Sequence, residues 1–98
     1  MDIEFASRRL ARCAESLAEA TREFGVPIGR KYLQRLAIIR AVDAIGDLFG
    51  HRALRFHPLK GDREGQFAMI LTANYRLILE KAGNRTVRVM SVEDYHGE

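Results

Sequence analysis

The sequence predicts an α+β fold: one N-terminal strand, an α-helical hairpin, then an antiparallel sheet of about four strands. Two observations carry this. Apolar residues recur at helical spacing through the first half and alternate with polar ones through the second. Turn-rich stretches separate the alternating runs and are short enough for hairpins. With 98 residues, 47% hydrophobic and 30% charged, the chain suits a single domain over residues 1–98 with one modest core.

Asp2-Ile3-Glu4-Phe5 alternates and reads as the first strand. Ser7 suits the N-cap of a helix on which Leu10, Cys13, Ala14, Leu17, Thr21 and Phe24 form one stripe. Gly25 stops that helix, and Pro27 fits the first turn of the next. The second helix carries Ile28, Tyr32, Leu36, Ile39 and Val42, widened by Leu33, Ile38 and Ile45, with Gly46 and Gly50 bracketing its end. Alternation then returns in Leu54 to His57, Gln66 to Leu71, Tyr75 to Glu80 and Thr86 to Val92. A meander of these strands packs its apolar face on the helix pair. The opposite face is left for polar side chains, and chemistry has to live there.

Composition bounds the function. Net charge is +3, which permits a nucleic-acid partner without demanding one. One cysteine, Cys13, excludes an internal disulfide framework and reads as a small buried helix residue. No apolar run approaches the roughly 18 to 20 residues that span a bilayer. The N-terminus is acidic and alternating, unlike a signal peptide, so a cytoplasmic location is expected.

His57, Lys60, Arg76, Asp94, Tyr95 and His96 stand out, because strand ends in a meander can bring them to one face. These types suit RNA cleavage. Imidazole is the side chain whose ordinary pKa lies near neutrality. Arginine and lysine hold phosphate and stabilise developing charge. Tyrosine stacks on a splayed base or relays a proton. Each also has a plain structural reading: a strand histidine, a solvated turn lysine, or an arginine paired with Asp94 or Glu80. Three scattered histidines lack zinc-ligand spacing, and Lys60-Gly61 lacks the phosphate-loop glycines.

Three stretches resemble HigB-like toxins of the RelE/ParE superfamily. Arg55 to Phe67 is similar to their "HPLKGDRxGQ" segment, Asn74-Tyr75-Arg76-Leu77-Ile78 to their "YRL" strand, and Val92-Glu93-Asp94-Tyr95-His96 to their closing "DYH". The resemblance implies a curled antiparallel sheet behind the strand and two helices. It implies the toxin of a type II toxin–antitoxin system: a ribosome-dependent endoribonuclease, or mRNA interferase, that enters the A site and causes growth arrest. Attack by the substrate's 2′-hydroxyl then leaves a cyclic phosphate, with no metal or cofactor.

By the matching motifs, Arg76 and Lys60 carry over for phosphate and transition-state charge, and His57 and His96 for proton transfer. Tyr95 carries over for stacking or positioning RNA, and Asp94 for orienting a neighbour. The implied partner is a HigA-like helix-turn-helix antitoxin, through which alone operator DNA is bound. Arg8, Arg9 and Arg12 could face ribosomal RNA or antitoxin, or simply water. One departure is Ile70, in a strand where relatives often place a charged residue. The alternatives are a ParE-like inhibitor of DNA gyrase, or an inactive relative that only binds antitoxin; a shared fold does not decide between them.

Overall fold

The computed structural model describes residues 1–95. Their elements run β1 (Asp2–Phe5), α1 (Arg8–Cys13), α2 (Leu17–Phe24), α3 (Val26–Ala41), β2 (His57–Pro58), β3 (Gln66–Ile70), β4 (Tyr75–Gly83) and β5 (Thr86–Asp94). Short 3-10 turns fill Ile45–Gly50, Arg52–Leu54 and Gly61–Arg63. The strands form one sheet in the order β1-β5-β4-β3-β2. β1 lies parallel to β5, and the other pairs are antiparallel. The expected strand, helical hairpin and antiparallel meander are all present.

The first helix differs from its expected form. It is two helices, because Ser16 caps a new one. Ser7 Oγ accepts from the Leu10 N–H at 3.2 Å, and Ser16 Oγ accepts from the Glu19 N–H at 3.1 Å. Each serine satisfies an N–H that a helix start leaves without an intrahelical partner. Leu10, Cys13 and Ala20 reach the core across the break, whereas Leu17 is 46% exposed. Arg9 pairs with Glu23 at 2.5 Å and Arg12 with Glu19 at 4.0 Å, so two of the three arginines of α1 face carboxylates of α2.

α2 and α3 meet closely at Gly29. A Cβ built there would stand 2.9 Å from the Ala20 carbonyl carbon and from the Thr21 nitrogen. Beside this contact the fully buried Tyr32 donates its hydroxyl to the Leu10 carbonyl at 2.7 Å. Burial pushes that phenol's pKa well above its ordinary value. The Phe24 ring leans on Tyr32 with centroids 5.2 Å apart.

α3 ends at Ala41, short of Gly46. Val42 is extended, and the Asp47 carboxylate then accepts from the N–H groups of Asp43 and Ala44 at 3.2 and 3.1 Å. The alternation expected from Leu54 is also cut short. Leu54 closes a 3-10 turn and Arg55 turns left-handed, so β2 pairs only His57 and Pro58 with β3. Proline lacks an N–H to donate, and this is an edge strand.

β5 carries a bulge. Ile78 pairs with Ser91 while Leu79 pairs with Val89, leaving Met90 as the extra residue. A second irregularity leaves Ala82 extra on β4. Bulges increase local twist, and these two sit on the strands that bend the sheet round the helices. Among the described residues no helix is long and apolar enough to cross a membrane.

Gly29→Ala is expected to cost about 1–3 kcal/mol, because backbone rather than a movable side chain blocks the new methyl. Gly46→Ala, with nothing within 4 Å, should change stability by less than about 0.5 kcal/mol. Urea denaturation midpoints of both variants check this.

Candidate functional site

The two faces of the sheet differ. Met69, Leu77, Leu79, Val87 and Val89 join Leu10, Tyr32, Leu36 and Ile39 in the main core. Ala68 and Ile78 point the other way, where Leu59, Met90 and Tyr95 cover them. Alternate residues on a strand share a face, so Arg76 and Glu80 join Ile78 on the outer side. Directly paired residues share a face as well. His57 therefore faces outward opposite Ala68, as do Ser91 opposite Ile78 and Glu93 opposite Arg76.

His57 Nδ1 lies 2.8 Å from the Arg55 carbonyl oxygen. A carbonyl only accepts, so Nδ1 holds the hydrogen of this contact. Arg55 adopts φ 48°, ψ 41°, a left-handed conformation uncommon for a residue with a side chain. The tight turn it makes aims its carbonyl back at the imidazole.

Arg76 is 7% exposed. Its Nη1 donates to the carbonyl oxygens of Thr72, Ala73 and Tyr75 at 3.0, 3.2 and 3.2 Å, which ties it to the β3–β4 turn. The guanidinium carbon stands 5.7 Å from the Tyr95 ring centroid, within cation–π range. The Tyr95 N–H donates to the Asn74 carbonyl of the same turn at 2.6 Å. One turn thus fixes both the cation and the phenol.

The remaining expected residues are spread around this group. Lys60 is exposed at the start of the Gly61–Arg63 turn, on the loop leading to β3. Asp94 pairs with Tyr75, whose side chain packs on the main core. Strand alternation therefore turns Asp94 away from Arg76 and Tyr95, so these three do not share a face as expected. His96 lies outside the described residues. Ile70 sits directly beside Arg76 in the register. Its carbonyl accepts from Nε of the buried Arg35 at 2.9 Å, and burial lowers the pKa of that guanidinium.

A polar network missed by the sequence reading crosses the same face. Arg63 Nη1 and Nη2 donate to the two carboxylate oxygens of Glu93, each at 2.8 Å. Arg63 Nε donates to Gln66 Oε1 at 3.2 Å, and Gln66 Nε2 to Glu80 Oε2 at 3.3 Å. Ser91 Oγ donates to Glu93 Oε2 at 2.6 Å. Arg88 closes the row with Glu4 at 3.0 Å and Glu80 at 4.0 Å. Outward alternation of Arg76, Ile78 and Glu80 was available as a signal. The Arg63–Glu93 pair had none, since its partners lie 30 residues apart.

The Arg63 fork holds the Glu93 carboxyl below its ordinary pKa of 4.5, Ser91 adds to this, and partial burial opposes it. A depressed pKa contributes stability above the unfolded value, and that stability is lost as pH falls through the folded one. Wild type should therefore lose roughly 0.5 to 1 kcal/mol more than Glu93→Gln on acidification from about pH 6 to about pH 3, a modest amount because the pair is about one-third exposed. Urea melts of the two proteins across that range check the sign.

No family model matches the chain. Over 62 residues it is 37% identical to endoribonuclease HigB of Proteus vulgaris, a match covering 63% of this chain and 65% of that protein. The matched stretch is thus just under two thirds of the relative's length. Among solved structures, a YoeB/ParE toxin from Agrobacterium tumefaciens superposes with a TM-score of 0.68 at 15% identity, covering 98% of this chain and all of that one. YafQ from E. coli strain BL21(DE3) gives a TM-score of 0.56 at 17% identity, covering 95% of this chain and 91% of that one. At such identities the likeness is one of fold. The chain has the fold of the YoeB/ParE toxin and of YafQ and is similar in sequence to endoribonuclease HigB, in agreement with the resemblance to HigB-like toxins.

Proposed function

We propose that the chain is the toxin of a type II toxin–antitoxin pair and an endoribonuclease that cuts translated mRNA in the ribosomal A site. One observation carries this: an imidazole, a guanidinium and a phenol, from His57, Arg76 and Tyr95, share the outer face of the sheet. The similarity to endoribonuclease HigB supports the same reading.

The chemistry follows from these groups. The substrate's 2′-oxygen attacks the adjacent phosphorus. A P–O2′ bond forms, the P–O5′ bond breaks, and a 2′,3′-cyclic phosphate remains. One proton leaves the 2′-hydroxyl and another reaches the departing 5′-oxygen. His57, through Nε2, and His96 are the two proton-transfer groups. Arg76 and Lys60 balance the negative charge that grows on the phosphorane. Tyr95, under the Arg76 guanidinium, offers a ring on which an unstacked base can lie. Asp94, one residue before that ring, positions the strand end. The scheme requires no metal. The reaction takes place in the cytoplasm, and the neutralising partner is a HigA-like helix-turn-helix antitoxin, which alone links the toxin to operator DNA.

Induction of the chain, followed by mapping of 5′ ends on a translated message, tests the proposal. Codon-phased cuts are expected, and His57→Ala or His96→Ala should reduce them at least about 100-fold at equal protein level. Intact message with damaged DNA would overturn the reading in favour of gyrase poisoning.

A further inference from the structure

The Arg63–Glu93 pair has an unusual setting for a surface ion pair. Its fork-to-fork geometry, two bonds of 2.8 Å, is the one a guanidinium makes with either a carboxylate or a phosphate. It lies on the outer face rather than at a rim far from the site, because Glu93 stands opposite Arg76 in the register. Tyr95 lies on the same face, its ring centroid 5.7 Å from the Arg76 guanidinium carbon. Two guanidiniums, Arg63 and Arg76, therefore flank one carboxylate and one phenol.

The pair is also accessible. The Arg63 and Glu93 side chains are 36% and 31% exposed. Arg63 borders an open polar depression of about 550 Å³, lined also by Gln66, Glu80 and Lys81. Its Nε bond to Gln66 fixes the plane of the fork even when the carboxylate is not counted. Ser91 holds Glu93 from the other side. Ile70 puts an apolar side chain beside Arg76, so the additional cation of this face comes from the loop rather than from β3.

We propose that Arg63 is a further phosphate-binding residue of the RNA face, beside Arg76 and Lys60, preset by Glu93, whose carboxylate holds the place a backbone phosphate takes on binding. This deepens the function proposed above and rests on it. The plain alternative is a tie that fastens the β2–β3 loop to β5. The two make opposite demands on Glu93. In a tie, removing either partner has the same effect. In a preset anion site, removing Arg63 loses a phosphate contact, whereas neutralising Glu93 removes a competitor.

The experiment measures binding of the purified protein to ribosomes programmed with a 2′-O-methylated message, and in parallel to that message alone, over a series of salt concentrations. Arg63→Gln should weaken binding about tenfold or more. It should also reduce the slope of log affinity against log salt by about one. Glu93→Gln should bind as tightly as wild type or more tightly. Arg63→Lys keeps the charge without the fork; it should retain the full slope at intermediate affinity, and it replaces Arg63→Gln if that variant's melting curve shows that it does not fold. Equal weakening in the Arg63 and Glu93 variants with an unchanged slope would overturn the inference in favour of the tie. Wild type that binds neither probe would overturn the proposed function itself.

Discussion

Strand β4 has to be covered on both faces, and the rest of the structure depends on that constraint. It is paired on both edges, by β3 and β5. Leu77 and Leu79 bury on the helix side while Ile78 buries on the other, all with no exposure. An apolar strand buried on two sides is common under helices on both faces. Here only one face has helices, so Leu59, Met90 and Tyr95 must supply the second cover. That cover comes from the residue after β2, from the bulge of β5 and from the residue after β5. It also sinks Arg76, the residue before Leu77, whose desolvated guanidinium is met by the turn carbonyls. The cation thus sits on the face where the strand hides its isoleucine.

The sequence made the regular parts legible. Alternation over Asp2–Phe5, the caps at Ser7 and Gly25, and the proline of α3 all correspond to observed features. What it concealed has local physical causes. Ser16 breaks a helix without breaking its apolar stripe, because Ala20 resumes the stripe after the new cap. Ile45 and Leu48 continue the stripe of α3, yet they reach the core from a 3-10 turn, and its Asp47 accepts from the N–H groups of Asp43 and Ala44 just before it. Leu54 to Phe56 alternates in burial, but the left-handed Arg55 forbids a strand. At the site, His57, Arg76 and Tyr95 were legible as chemical types in motif positions. Arg63 and Glu93 were not, because only the register joins them.

Charge content alone misdirects attention. The basic residues nearest the N-terminus look like a contact surface, yet Arg9 and Arg12 face Glu23 and Glu19 across a helix junction. Their electrostatics serve the packing of α1 on α2. On the sheet, Arg88 likewise joins β1 to β4 through Glu4 and Glu80. Arg76 and Arg63 of the candidate face are oriented by short-range contacts: turn carbonyls for Arg76, and a glutamine and a carboxylate for Arg63. Orientation rather than abundance distinguishes them.

The extra residue at Met90 sets the parity of β5. Before it, even-numbered Arg88 looks outward; after it, odd-numbered Ser91, Glu93 and Tyr95 do. Were Met90 instead paired with Ile78, with no extra residue, the parity would not change hands. Val92 and Asp94 would then exchange sides with Glu93 and Tyr95. The outer face would lose Glu93 and its aromatic ring together, and that glutamate would stand opposite Tyr75 on the helix side. A single unpaired residue, itself chemically inert, therefore decides on which side of the molecule the C-terminal part of the site is assembled.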